Sequence, residues 1–495
     1  MRRVHVYLLG IIVAVFCTAY FEPRPSLEDF DPVRHAGFED TWKTRVHIAY
    51  WEKWGSFEAE ACQTMVDHFN KRQTEIFVHY IRASQVDRKS MLAVIGNDPP
   101  DVVGLWANNI APFADAGALV PLDDLMKQTE LGDPNYYIRS YLMLGEYRGR
   151  IYALPTTPSS VALFCNKEHF RRKAGELLAA GLDPNRAPRT IEELDRYAEV
   201  LNEFEPDGTP RIMGFLPTEP GWFNHTWGYY FGGRLLDPNT GKITADDPGN
   251  IRAFQWVKRY AEAYGRQKLL QFRSGFGNFD SPNNAFIDGK VSMEMQGVWF
   301  PNFIGRHRPH MEFGVAPFPV PEAALRQLEA RDPNNPTMSS IDADMIGIPR
   351  GCRHPREAWK FIHYVQTEGL PILCKAQGKH LPYRNRPAGF RLGHPNRELD
   401  VFERVAASPF AFSMPRNIVW QEYQDELTKA FEHVWNWPVP EDQLKGLTGE
   451  ARRRRIEELC LDEITRTLAE VRQNIQKQYD LKLYRQRLRE GGPRP

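Results

Sequence analysis

Residues Arg45–Ile81, RVHIAYWEKWGSFEAEACQTMVDHFNKRQTEIFVHYI, decide the fold class. Arg45–Tyr50 alternates polar and apolar side chains, the period of a strand with one buried face. From about Phe57 to Arg72 the apolar residues Ala61, Met65 and Phe69 recur at helical spacing. Ile76–Ile81 is a second β-branched and aromatic strand. Strand, helix and strand joined this closely make a parallel pair with a right-handed crossover, the unit of an α/β protein. Trp51, Trp54 and Gly55 fall just past the first strand, where open parallel sheets place their ligands.

The pattern repeats downstream. A helix over roughly 88–95 leads through Asn97-Asp98-Pro99-Pro100 to an apolar strand, Asp101–Leu105, and then to Trp106. Aromatic residues at the carboxyl ends of two successive strands suggest a ligand face. Pro155 and Pro158 bracket Thr156 and Thr157, and Ser159-Ser160 follow before a strand over Val161–Asn166. Proline stiffens a connection while leaving its ends free to adjust, so the chain is expected to pass between lobes here. Pro220–Trp227 holds three aromatics and an asparagine, polar for a core segment, so Trp222 or Trp227 is expected to face a cleft, although Trp227–Phe231 alone could be a packed helical face. The stretch Gly289–Phe303, GKVSMEMQGVWFPNF, reads as a strand with one buried face carrying Met293 and Met295. It ends at Gly297, and Trp299 follows as core or as an aromatic ligand platform. Phe313–Phe318 is a strand expected to return to the first lobe. Thr190 is expected to cap a helix with Glu193 closing a capping box.

Composition narrows the class. The 495 residues suffice for two large lobes, and 42% hydrophobic with 25% charged residues is ordinary for a globular chain. Lys+Arg and Asp+Glu both number 63, so there is no basic excess for a nucleic-acid partner. Aromatic residues reach 12%, an excess that can serve a large core or a cleft that packs sugar C–H faces against rings. The N-terminal MRRVHVYLLGIIVAVFCTAYF has the basic and then apolar order of a signal peptide, with an uncleaved anchor or lipidation at Cys17 as alternatives. Beyond Cys17, five cysteines without CxxC spacing exclude a dense disulfide framework but leave room for one or two bridges. His307 and His310 form a lone HxxH, read as surface residues. Arg452–Arg455 beside Glu457-Glu458 reads as a solvated helix face, and Ile456, Leu459, Ile464, Leu468, Val471 and Ile475 as its buried stripe.

Over about residues 45–435 the order of short motifs resembles the extracellular solute-binding proteins of bacterial sugar ABC importers, the group containing maltose-binding protein. The tracts are PPDVVGLWANNIAPFADAGALVPLDD, YRGRIYALPTTPSSVALFCNKEHF, LDPNRAPRTIEELDRYAEVL, Gly289–Met293, Gly297-Val298-Trp299, Ile346–Gly351 and His354–Ile362. The resemblance implies a periplasmic-binding-protein-like II fold: two α/β lobes joined by a multi-strand hinge, with a ligand cleft between them. The N-terminal pattern assigns 1–21 to a signal peptide or anchor, and the proline-containing polar stretch that follows reads as a tether over 22–44. Lobe 1 would take 45–154 plus about 320–380, and lobe 2 would take 155–319 plus about 385–440, with a helical extension over 441–495. Ligand contacts are expected from Trp54, Trp106, Ser159, Trp222, Trp227, Trp299, Asp342, Arg384 and Trp420, with Trp299 and Trp420 at positions where the family stacks sugar. Where the family carries a glycine pair and an aromatic, this chain has Ser339–Met345, so Asp342 or Asp344 is expected to hydrogen-bond hydroxyls instead.

The implied role is capture of a mono- or oligosaccharide outside the cytoplasm and delivery to a membrane permease, with no cofactor and no metal, by a monomer. The rival of another class is a glycoside hydrolase, which needs two carboxylates flanking the scissile bond. No recognisable acid/nucleophile tract, GxSxG, Walker A loop or HExxH occurs. Related binders take glycerol phosphate, polyamines or iron, and Arg384 with Arg416 would suit an acidic sugar.

Overall fold

A computed structural model describes residues 30, 31 and 35–489, so the N-terminal apolar segment and Cys17 lie outside the described residues. The main strands are β1 (Val46–Glu52), β2 (Ile76–Arg82), β3 (Val102–Trp106), β4 (Ala153–Asn166), β5 (Pro210–Phe215), β6 (Val291–Gly297), β7 (Phe313–Ala316) and β8 (Ile341–Gly347). The chain divides into two compact units, one holding the chain up to Ser159 with Asp342–Pro395, the other Ser160–Ile341 with the chain from Asn396 on. It passes from one to the other within β4, at the start of β8 and after Pro395.

The first unit is built on the expected strand–helix–strand. β1 and β2 pair in parallel with Val46 opposite Ile76, joined by α1 (Ser56–Arg72), whose Ala61, Met65 and Phe69 are buried. After α2 (Val86–Ile95), β3 adds in parallel on the other side of β1, and β8 closes on β3 antiparallel, with Asp344 opposite Trp106. This register sets the carboxyl ends of β1 and β3 beside the middle of β8.

In the second unit the latter half of β4 pairs antiparallel with β6, from Val161 opposite Gly297 to Cys165 opposite Met293, and β5 lies parallel to β6. β6 is therefore interior, and all seven of its residues are buried. The expectation of one buried face holds for Met293 and Met295 and fails for Ser292, Glu294 and Gln296, which are equally covered. β7 does not return to the first unit: it pairs with Leu163–Asn166 of β4, and the return comes at Ile341/Asp342 instead of near residue 320.

Thr190 caps α3 (Ile191–Leu201) as expected, its hydroxyl accepting from the Glu193 N–H at 3.1 Å. The Glu193 carboxylate reaches one residue further back than a capping box requires, to the Arg189 N–H at 2.8 Å. The C-terminal extension is a single helix, α6 (Gly449–Arg489), packed on α4 (Pro248–Tyr264) and α5 (Trp420–Asn436) of the second unit. Leu459, Ile464, Leu468, Val471 and Ile475 are buried along it as the spacing predicts, Ile456 of the expected stripe is only half-buried, and Arg454 and Arg455 pair with acids of their own helix. Polar ties fix its register: Arg472 to Asp246 at 2.7 Å, and Gln476 accepting from the Ile243 N–H at 2.8 Å. Among the described residues no helix is long and apolar enough to cross a membrane. Cys62, Cys165, Cys352, Cys374 and Cys460 are all free thiols.

Candidate functional site

In the first unit the ends of β1 and β3 and the middle of β8 bring together Trp54, Trp106 and a set of charged groups. Glu52, the last residue of β1, is 1% exposed, and the Tyr50 hydroxyl donates to it at 2.7 Å. A Cβ at Gly104 would lie 1.8 Å from the Glu52 carboxylate, so the facing strand must carry glycine there. The Lys53 ammonium sits 2.9 Å from Glu52 and 3.1 Å from Asp344. It also lies 4.6 Å from the Trp54 ring centre and 5.3 Å from that of Trp106. Lys379, far along the chain, places its ammonium 3.4 Å from Glu58, 3.8 Å from Asp344 and 4.5 Å from the Trp54 ring centre. Thr157 donates to the Asp344 carboxylate and stands 3.4 Å from Lys379 Nζ.

Two ammonium groups taken out of water are tolerated only where carboxylates and ring faces replace hydration. Burial by itself would lower the Lys53 ammonium, but Asp344 and Glu52 outweigh it and hold it above its ordinary value. Burial raises the Glu58 carboxyl, with Lys379 opposing. Asp342, two residues from Asp344 on the same face of β8, is pushed up to about 7 by burial, against the Ala343 N–H that donates to it at 2.8 Å. Trp106 keeps 39% of its surface exposed and Trp54 is half-buried, so this buried ionic floor carries open aromatic surface.

The second unit carries a separate aromatic platform. The Trp299 ring folds back over Gly297, where a Cβ would come within 2.1 Å of it. The glycine anticipated as a close-approach site thus admits the tryptophan two residues on. Trp299 stacks on Trp222 with ring centres 5.5 Å apart and planes 27° from parallel, and Phe279 flanks both. Trp222 stacks in turn on Phe223 at 4.3 Å. Both tryptophans are half-buried. On neighbouring β6, Glu294 accepts from Gln296 at 2.6 Å and from Asn284 at 3.4 Å, and burial pushes its carboxyl up to about 8.

The expected residues thus divide. Trp54 and Trp106 meet at Lys53 in the first unit, where Asp342 feels the same lysine's charge; Trp222 and Trp299 meet in the second. Ser159 is half-buried at the unit boundary of β4, and Arg384 is exposed, its backbone N–H donating to the Tyr136 carbonyl at 3.1 Å. Trp227 and Trp420 are corrected to core, each 1% exposed: Trp227 packs against Trp256 and Phe318, Trp420 against His225 and Tyr423. Asp344, raised as a hydroxyl partner, is engaged by Lys53 and Thr157. Sequence reasoning missed Glu52, Glu58, Lys53 and Lys379. The signal available was the Glu52-Lys53 pair at the end of an apolar strand, together with a glycine in the strand beside it.

The family described as "Bacterial extracellular solute-binding protein" matches residues 55–370. The maltotriose-binding protein of Pyrococcus abyssi is 21% identical over 338 residues, 68% of this chain and 65% of that protein. The match therefore spans less than two thirds of that relative. Among solved structures, CpMnBP1 with mannobiose bound overlaps with a TM-score of 0.69 at 25% identity, covering 84% of this chain and 100% of its own. The sugar-binding protein MalE from Xanthomonas citri overlaps with a TM-score of 0.61 at 18% identity, covering 86% and 98%. The architecture is the two-lobe α/β fold of periplasmic binding proteins.

Proposed function

Because the chain belongs to the bacterial extracellular solute-binding protein family, we propose that it captures a small carbohydrate outside the cytoplasm and hands it to the permease of an ABC importer. The observation that carries this reading is the presence, in each unit, of tryptophan surface left partly open: Trp54 with Trp106, and Trp222 with Trp299. Pyranose rings present C–H faces that pack on indole, and a few fixed polar groups orient hydroxyls, the usual economy of a small-molecule site. Asp342 is such a group in the first unit. The mannobiose-bound neighbour and the maltotriose-binding relative support a di- or trisaccharide as ligand.

The reading makes the protein a binder and no hydrolase. Glu294 and Glu219, the buried carboxyls of the second unit, are committed to Gln296 and Asn284 and to Arg273. The test is a thermal-shift screen of the mature protein against neutral, acidic and amino-bearing di- and trisaccharides, followed by calorimetry. A specific glycan at a hundred times its Kd should stabilise the fold by about 2.7 kcal/mol. Absence of any shift across the panel, or release of reducing ends in proportion to protein, would overturn the proposal.

A further inference from the structure

Lys53 and Lys379 are both buried, at 3% and 2% of side-chain surface, and both ammonium groups lie against Trp54. Lysines near a carbohydrate site would ordinarily be assigned to ligand hydroxyls. Here their donors are already directed elsewhere: Lys53 to Glu52 and Asp344, Lys379 to Glu58, Asp344 and Thr157. An ammonium within about 6 Å of an indole centre is attracted to the ring's negative face, and the attraction grows when water is excluded. A tryptophan on a loop has two freely rotating side-chain bonds, and holding it in one orientation before the ligand arrives removes an ordering cost from binding. Of the two lysines, Lys379 is the one whose sequence position serves no neighbouring backbone role at Trp54. It arrives from a distant segment and joins α1, β4 and β8 through Glu58, Thr157 and Asp344.

We infer that Lys379 is a positioning residue for Trp54: its buried ammonium, clamped by Glu58, Asp344 and Thr157, fixes the indole in its ligand-receiving orientation and makes no contact with the ligand itself. This rests on the carbohydrate-binding reading only for its effect on affinity. Its effect on the ring stands independently.

The experiment uses the full mature chain labelled with 5-fluorotryptophan, the Trp54 fluorine resonance being assigned by its loss in Trp54→Phe. Lys379→Met paired with Glu58→Gln removes both members of the buried pair, so neither is left facing a missing partner, and Lys379→Arg is the conservative variant. The Trp54 resonance should shift and broaden in the paired variant while the Trp299 resonance does not move, and it should return towards the wild-type position with arginine. A Trp54 resonance unchanged in the paired variant overturns the inference. Calorimetry with the tightest glycan of the panel then closes a mutant cycle. The paired variant should lose about tenfold in affinity, and combining it with Trp54→Ala should cost no more than Trp54→Ala alone, the mark of one residue acting through another. Losses that multiply would mean Lys379 contacts ligand directly and would equally overturn it. Should no glycan bind, the carbohydrate reading fails while the fluorine spectra still decide the role of Lys379.

Discussion

At Gly297 and Gly104, hydrogen in place of a side chain decides what a neighbour can do. Gly297 leaves the space over which the Trp299 ring lies, and Gly104 leaves the space for the Glu52 carboxylate. Trp299→Ala is expected to weaken glycan binding by about 1–3 kcal/mol, as truncating a buried aromatic anchor does, with little change in melting temperature. Trp227→Phe, by contrast, should lower stability and leave the binding isotherm unchanged, because Trp227 is enclosed by Trp256 and Phe318. Gly104→Ala should destabilise by at least about 1–3 kcal/mol, since an added methyl must displace a packed group and here that group is the partner of Lys53; denaturant unfolding measures it. Composition told us that tryptophan was abundant, but residue type alone could not separate Trp227 and Trp420 from Trp106. All three follow the same local grammar, and only the packing around each one differs. Lys379 was invisible for another reason: Glu58, Thr157 and Asp344 meet it from segments far apart in sequence.

Among the elements, those with local causes were the most legible. β1, α1 and β2 follow from apolar period alone, and the stripe of α6 follows from residues such as Ile464, Leu468 and Ile475. β6 was legible as a strand but not in its burial, because Ser292, Glu294 and Gln296 read as a solvent face until strands on both sides cover them. The same non-local pairing kept β7 in the second unit. α6 lies beyond the 55–370 stretch that matches the family, yet it is no loose appendage. Deleting 449–489 would uncover the faces of α4 and α5 that pack on this helix. The truncated protein should melt at a lower temperature and bind a hydrophobic dye before melting, whereas an independent appendage would leave both measurements unchanged. At α3, Thr190→Ala should cost about 1 kcal/mol, the usual worth of a cap.

For the molecule as a whole, opposing buried titrations shape stability against pH. Burial pushes the Glu294 carboxyl up to about 8 and Asp342 up to about 7, and Glu58 and Glu219 move in the same direction. Between the ordinary carboxyl value near 4.3 and these values, the folded chain holds protons the unfolded chain has released, so this contribution is lost as pH rises towards 8. Burial pushes His169, His225 and His380 down to about 4. Below their ordinary value near 6.5 the unfolded chain binds protons these residues refuse, so their contribution is lost as pH falls. The two sets act against each other, so stability passes through a maximum between the loss on the acid side and the loss on the alkaline side. Scanning calorimetry from pH 5 to 9 should show melting temperature falling on both sides, and Glu294→Gln should flatten the alkaline limb. A monotonic profile would refute this balance.

The five free thiols have a consequence for how the protein reaches its place of work. Burial pushes Cys165 and Cys374 up to about 12 and Cys460 to about 11, and raises Cys62 as well, so these sulfurs stay protonated and unreactive. Among the described residues no disulfide links these thiols, so the fold is expected to form without an oxidative step. Refolding yield should be the same with and without dithiothreitol, and material made in a reducing cytosol should match exported protein in melting temperature.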